Sequence, residues 1–364
     1  RSALACYTSS YGKGHRWHEL AGSMNAPRPQ SLASDPAARD VGPLTTSSNE
    51  PLDRLSQTPF DDLPAEHKAR AYGVDYARFV LAKGGELFFT RYGWGLANLT
   101  VPRAWFLDKR YRQAGRRLLG STGTVYRVPV SAPHGATESL VIKFSRVAQD
   151  VPVFVDQSAA DEAPWGMIDG ATFNDPFEEF GMLMALRRGP FGPNRPRILT
   201  KKPLAIYSPP VRHALWQLGR KEDLFASHAA RLAADQAAHG LGEPVKLELL
   251  RDYILVFQWV KGADAEEMHS RGLVSESEMR SLYFRSSKEL KANGFMVLDH
   301  KPRHLILRFR RRGAGLVRQH GLLTYALVDF ELMKRTEPGW RGNLVTGQQI
   351  KKSRPAQRAA FEAH

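Results

Sequence analysis

Two short segments in the last fifth of the sequence carry the side chains best suited to chemistry. GFMVLDHKPRHLIL, residues 294–307, holds Asp299, Lys301 and His304, and YALVDFEL, residues 325–332, holds Asp329 and Glu331. Pro302 forbids a regular helix in the first segment, so its acid, amine and imidazole project from a loop, followed by the short apolar run 305–307. In the second, residues 325–328 form a strand-like apolar run that ends abruptly on Asp329. A carboxylate at a strand end is a natural metal ligand. Taken singly, the first segment is equally readable as a turn and the second as a plain strand end, so their weight depends on the elements that position them.

Those elements lie upstream. Residues 118–130, LLGSTGTVYRVPV, set Gly120 and Gly123 between extended apolar stretches. That suits a hairpin whose backbone amides approach phosphates closely, although an ordinary hairpin turn uses the same residues. Residues 139–144, SLVIKF, are an apolar strand interrupted by Lys143. A lysine facing inward there must find an anion, because an unpaired buried ammonium is costly. Residues 176–187, PFEEFGMLMALR, have a helical apolar face of Phe180, Leu183, Met184 and Leu186. Glu178 and Glu179 fall in its first turn, where the helix dipole favours carboxylates. Residues 204–207 and 253–260 read as strands, and residues 223–238 and 276–293 as helices, the last leading into the Asp299 loop. Residues 145–175, with several acids, read as an exposed insertion.

In this order the segments resemble the protein-kinase superfamily from residue 118 to residue 331. That family's catalytic loop reads H-R-D-L-K-P-E-N and its metal motif D-F-G, against V-L-D-H-K-P-R-H and D-F-E here. The resemblance implies ATP as the nucleotide and Mg or Mn as the ion. By it, Asp299 orients or deprotonates an acceptor hydroxyl, Lys301 neutralises charge on the transferring phosphoryl group, and Asp329 holds the metal. His304 stands at the second metal position, normally an asparagine. Gly120, Gly123 and Val125 match the Gly-rich loop, and Lys143 matches the phosphate-pairing lysine of V-A-I-K. Glu179 fits its helix partner best, with Glu178 as a close rival. Phe257 would line the back of the base pocket, and backbone groups of Gln258 and Val260 would meet adenine. Besides His304, two departures stand out: Val297 replaces the histidine of H-R-D, and Glu331 replaces the glycine that lets the following loop swing. Two function classes follow. One is an atypical ATP-dependent phosphotransferase acting on an unnamed protein or small-molecule acceptor, and the other is a pseudokinase-like nucleotide-binding module that acts through its surface.

Composition sets the outer bounds. The chain has 364 residues, 42% of them hydrophobic, enough for a real core, and a formal charge of +15. The charge attracts polyanions, and Arg308, Arg310, Arg311 and Arg312 form a basic run between the two motifs; a solvated, charged hairpin is the simpler reading of that run than a nucleic-acid site. One cysteine, Cys6, excludes an internal disulfide framework and a Cys-based zinc site. No stretch of eighteen apolar residues marks a membrane span, and a cytoplasmic setting is the default.

The expected fold is α+β, a two-lobed kinase-like arrangement with a small N-lobe sheet, a reduced helical C-lobe and a helical N-terminal extension. Residues 1–50 are expected to be a disordered leader, the part before Met24 reading as an appended segment. Residues 51–117 form the helical extension, with Phe88, Phe89, Trp94, Trp105 and Tyr111 as core contacts of a cap rather than a recognition surface. Residues 118–262 are the N-lobe and hinge. Residues 263–364 are the reduced C-lobe with a basic tail, because 332–364 is too short for the helical subdomain that binds peptides in ordinary protein kinases.

Overall fold

A two-residue turn decides the first third of the molecule. In the computed structural model, Tyr72 and Gly73 both have positive φ, 48° and 71°, the mirror-image turn whose twist matches that of paired strands. Ala71 pairs with Val74 across it. The flanking segments Lys68–Ala71 (β1) and Val74–Val80 (β2) form a hairpin, and Glu86–Thr90 (β3) adds a third antiparallel strand. The residues described are 50–81, 84–118, 123–131, 135, 137–151, 170–188, 198–310 and 315–336, all within the unit 48–364. The leader, Gly120, Arg311, Arg312, most of the acidic insertion and the basic tail lie outside them.

The helical extension expected over 51–117 is therefore corrected. Its Ala, Lys and Leu content suits a helix, but the pairing of β1 to β3 overrides that propensity. Helix there is confined to short pieces, among them the four single turns Arg91–Trp94, Ala97–Thr100, Pro102–Trp105 and Arg110–Gln113. Trp94, Leu99, Trp105 and Tyr111 from these turns pack onto the sheet together with Phe89. The aromatics serve the core.

The sheet is larger than the small one expected. Its further strands are Arg116–Arg117 (β4), Val125–Ser131 (β5), Thr137–Phe144 (β6), Pro203–Ser208 (β8) and Ile254–Gln258 (β9); Leu199–Thr200 (β7) lies outside it. The order is β1-β2-β3-β8-β9-β6-β5-β4, antiparallel throughout. Cores lie on both faces. Along β9, Ile254 and Val256 enter one and Leu255 and Phe257 the other, which explains why this strand reads as an unbroken apolar run.

Helices that cover or follow the sheet include Pro176–Arg187 (α1), Glu222–His239 (α2), Ala265–Ser270 (α3) and Glu276–Ala292 (α4). Pro176 opens α1, and the Asp175 side chain accepts from the amides of Phe177 and Glu178 at 2.8 and 3.0 Å, a favourable start to a helix. A Ser275–Glu278 capping box opens α4. Beyond α4 come small pairings. Phe295–Val297 (β11) pairs with Met333–Arg335 (β16), and Arg318–Gln319 (β13) with Leu322–Leu323 (β14). Ala263–Asp264 (β10), Leu305–Leu307 (β12), Tyr325–Leu327 (β15) and β7 make a second sheet in the order β10-β12-β15-β7, in which β7 and β15 run parallel. The whole is α+β, dominated by one antiparallel sheet. Among the described residues no helix is long and apolar enough to cross a membrane.

Candidate functional site

Lys143 stands opposite Leu255 of β9 and Val125 of β5, so the pleat turns its side chain toward α1. There its Nζ meets Glu179 at 3.0 and 3.1 Å from the two carboxylate oxygens, Asp329 Oδ1 at 3.2 Å and Glu331 Oε2 at 3.1 Å. Burial opposes its charge, but Asp329, Glu179 and Glu331 outweigh that and hold the ammonium well above the ordinary lysine range. Burial likewise pushes the Asp329 carboxyl up, and Lys143, His304 and Lys201 together bring it well below the carboxylate range. Of the two rival glutamates, Glu179 holds the lysine. Glu178 turns away to Arg231, 3.3 Å off.

The segment after β15 is pinned. Glu331 also accepts from Arg146, whose guanidinium lies 3.9 Å above the Phe173 ring. The Asn174 amide group donates to Phe330 O and Met333 O at 3.0 and 2.8 Å, and its backbone N–H donates to Glu331 O at 2.8 Å. The Glu331 carboxylate thus ties this segment to Lys143 of β6, and Asn174 ties its backbone to the start of α1.

β12 pairs with β15 in the register Leu305↔Leu327, and Val328 donates its amide to His304 O at 3.1 Å. This sets His304 Nε2 3.7 Å from Asp329 Oδ2. Nearby, Lys301 and Asp299 form an ion pair at 2.5 Å. Lys143, Asp299, Lys301, His304 and Asp329 face a cleft of about 520 Å³. Val125, Gln258 and Val260 line it as well. The Gln258 amide is taken by Lys202 O at 3.0 Å.

One expectation needs correction and one finds no support. Phe257 does not line the cleft: it is fully buried against Phe180, ring centroids 5.2 Å apart, and the Lys201 ammonium sits 3.5 Å above its face. Lys201 lines the cleft in its place. Nothing crowds Gly123, where an added Cβ would make ordinary contact with Arg146 at 3.5 Å. Arg308 and Arg310 are exposed on a hairpin, as a solvated charge run would be.

Sequence reasoning missed Lys201 and Arg146. The pair of lysines in LTKKPL looks like a solvated turn, and only the parallel β7–β15 contact reveals that the first of them points inward. A second group, Asp175, Glu178 and His228, brings metal-type ligand atoms within 4.8 Å of one another. It is already neutralised by Arg231, which lies 2.7 Å from His228 Nδ1, and Asp175 is committed to capping α1.

No family model and no curated protein matches the chain. Solved structures similar to it include two of WbdD, one in complex with the kinase inhibitor LY294002 and one at high resolution. Both are 14% identical at a TM-score of 0.25, covering 64% and 65% of this chain and 35% and 36% of theirs. Another is the Rio2 kinase–ADP/Mg2+-phosphoaspartate complex from Chaetomium thermophilum, 13% identical at a TM-score of 0.31, covering 76% of this chain and 63% of that one. The chain thus spans about a third of the length of the WbdD chains. The superpositions are loose.

Proposed function

We propose that this chain is an atypical ATP-dependent phosphotransferase with a two-lobed kinase-like arrangement, residues 118–262 forming the nucleotide-facing lobe and hinge and residues 263–364 a reduced second lobe. The observation that carries the reading is the convergence on one cleft of Lys143, held by Glu179, with Asp329 beside it and Asp299 across from it. A buried lysine gripped by three carboxylates is poised to exchange one of them for a phosphate.

A divalent ion fits the donors present. Asp329 offers a carboxylate oxygen, and His304 offers Nε2 toward that oxygen, while its buried Nδ1 has no hydrogen-bond partner. These two residues would hold the ion, which supplies charge neutralisation on the phosphate oxygens. Lys143 aligns the phosphates, Glu179 fixes Lys143, and the hinge residues Gln258 and Val260 receive the base. Asp299 orients the acceptor hydroxyl and takes its proton. Lys301, paired with Asp299, keeps that carboxylate in place and faces the transferring group. The acceptor is a hydroxyl of a protein or a small molecule.

One observation favours a second reading, a nucleotide-binding module with weak or no transfer: Glu331 occupies the Lys143 ammonium that a phosphate would need. Binding and turnover separate the two. The wild-type protein is expected to melt at a higher temperature with millimolar ATP and metal and to turn ATP over with Mg or Mn. Asp329→Asn should lose the metal-dependent shift, whereas Asp299→Asn should keep it and lose turnover. No shift in the wild type refutes both readings, and a shift without turnover selects the second.

A further inference from the structure

Lys201 is a buried lysine whose ammonium has no acceptor among the described residues. It is 4% exposed and faces the cleft. Its nearest anion, Glu179 Oε1, lies 3.8 Å away, and it has no hydrogen-bond acceptor among the described residues. That separation exceeds hydrogen-bond length. The Phe257 ring lies beneath it at 3.5 Å and the Phe330 ring at 5.6 Å; their faces soften the desolvation cost but supply no acceptor for its three N–H groups.

The side chain is aimed by its neighbours. Leu199 and Thr200 run parallel to Ala326 and Leu327, which carries Lys201 alongside the end of β15. Arg187 donates to Thr200 O and Oγ1, both at 2.9 Å, and the Gln258 amide holds Lys202 O at 3.0 Å. With the backbone fixed on both sides, the side chain is directed into the cleft.

Lys143 and Lys201 approach the same oxygen, Oε1 of Glu179. Lys143 has Asp329 and Glu331 besides, whereas Lys201 has only this distant contact. Two ammonium groups converging on one oxygen make a site for a compact polyanion, which can accept from both at once. We infer that Lys201 is a second phosphate-binding residue of the cleft, donating to a phosphate group that Lys143 also engages. The inference rests on the phosphotransferase reading for its ligand and on the unpartnered ammonium for its residue.

A pH signature follows. Burial first, then Lys143, brings the Lys201 amine down to about 8, against the opposing pull of Glu179, Asp329 and Glu331. A bound anion favours the protonated amine, so affinity should hold below about pH 8 and fall above it. Arginine in that place stays charged.

The test titrates wild type, Lys201→Met and Lys201→Arg with magnesium tripolyphosphate and with magnesium ATP by calorimetry, from pH 7 to 9.5. Lys201→Met should bind tripolyphosphate about tenfold more weakly at pH 7, with a ligand-free melting temperature equal to or above that of the wild type, because an unpaired charge has left the interior. Lys201→Arg should keep its affinity at pH 7 and lose the alkaline fall. Unchanged tripolyphosphate affinity in Lys201→Met overturns the inference, as does a wild-type-like fall in Lys201→Arg; a lower melting temperature with unchanged affinity would make Lys201 only a partner of Glu179. If the wild type binds tripolyphosphate in the expected way but not ATP, the lysine assignment stands and the nucleotide reading fails. Binding of neither overturns both.

Discussion

Replacing Glu331 with glutamine separates stability from binding. The Glu331 carboxylate lies 3.1 Å from the Lys143 ammonium and also accepts from Arg146, with both lysine and acid buried. At that distance and an effective dielectric of about 20 the gross attraction to Lys143 is about 5 kcal/mol. Most of it offsets the desolvation of the two groups, so the ion pair contributes about 2 kcal/mol net. Glutamine keeps the shape and one acceptor, so Glu331→Gln should lower stability by about 2 kcal/mol and the melting temperature by about 5 °C. Nucleotide binding should move the other way. Lys143 no longer has to leave Glu331 for a phosphate, and one negative charge is gone from the phosphate path, so affinity for magnesium ATP should rise about tenfold. Thermal melting of the ligand-free protein and calorimetric titration read the two quantities separately. Weaker ATP binding in Glu331→Gln, whatever its stability, would show that the carboxylate assists the ligand and would refute the competition argument.

Three further outcomes follow. Imidazole suits manganese better than magnesium, so His304→Asn should shift the activity ratio toward magnesium; an unchanged ratio with activity retained would show that His304 only packs. The Asp175 carboxyl is pushed up to about 7, by burial first and then by Glu178. Its folded value lies above its unfolded one, so its contribution to stability is full below about pH 4 and is lost as pH rises through about 7. Urea melts should therefore show Asp175→Asn gaining on the wild type by a few kcal/mol between pH 4 and pH 8, and parallel curves would contradict this. A Cβ on Gly181 would lie 2.6 Å from the Tyr72 Cβ and 2.9 Å from its carbonyl oxygen. Gly181→Ala should thus cost about 2 kcal/mol by overpacking, whereas Gly123→Ala should melt like the wild type.

What was legible in the sequence was what local chemistry enforces. Lys143 stood out because a lone charge in an apolar strand needs a partner, and α1 showed its apolar face and acidic first turn. Asp329 marked the end of an apolar run, and β15 does end at Leu327. The hairpin β1–β2 was hidden because KARAYGVDYARF is rich in helix-favouring residues and its turn, Tyr-Gly, lacks the Asn-Gly or Asp-Gly signature. The inward course of Lys201 was unreadable for another reason. It depends on a parallel pairing between β7 and β15, elements far apart in sequence whose contact no local pattern announces.

The strands that local reading missed explain how firmly the Lys143–Glu179 pair is held. In a fold where a helix carries the lysine's partner, the pair is only as fixed as that helix. Here the β1–β2 turn lies against Gly181, and Tyr72 donates to Asp175 at 3.1 Å. Tyr76 and Phe88, from β2 and β3, set their rings edge-on to Phe177 at 5.6 and 5.1 Å. Arg231 of α2 pairs with Glu178, and Asn174, just before α1, binds the segment after Asp329. To swing Glu179 away from Lys143, the helix would have to break the Tyr72–Asp175 hydrogen bond, its aromatic packing and its tie to Phe330 together, and such contacts are energetically coupled. Glu331 belongs to the same logic: where a glycine would give the segment after Asp329 a hinge, an acid bound to Lys143 and Arg146 gives it an anchor.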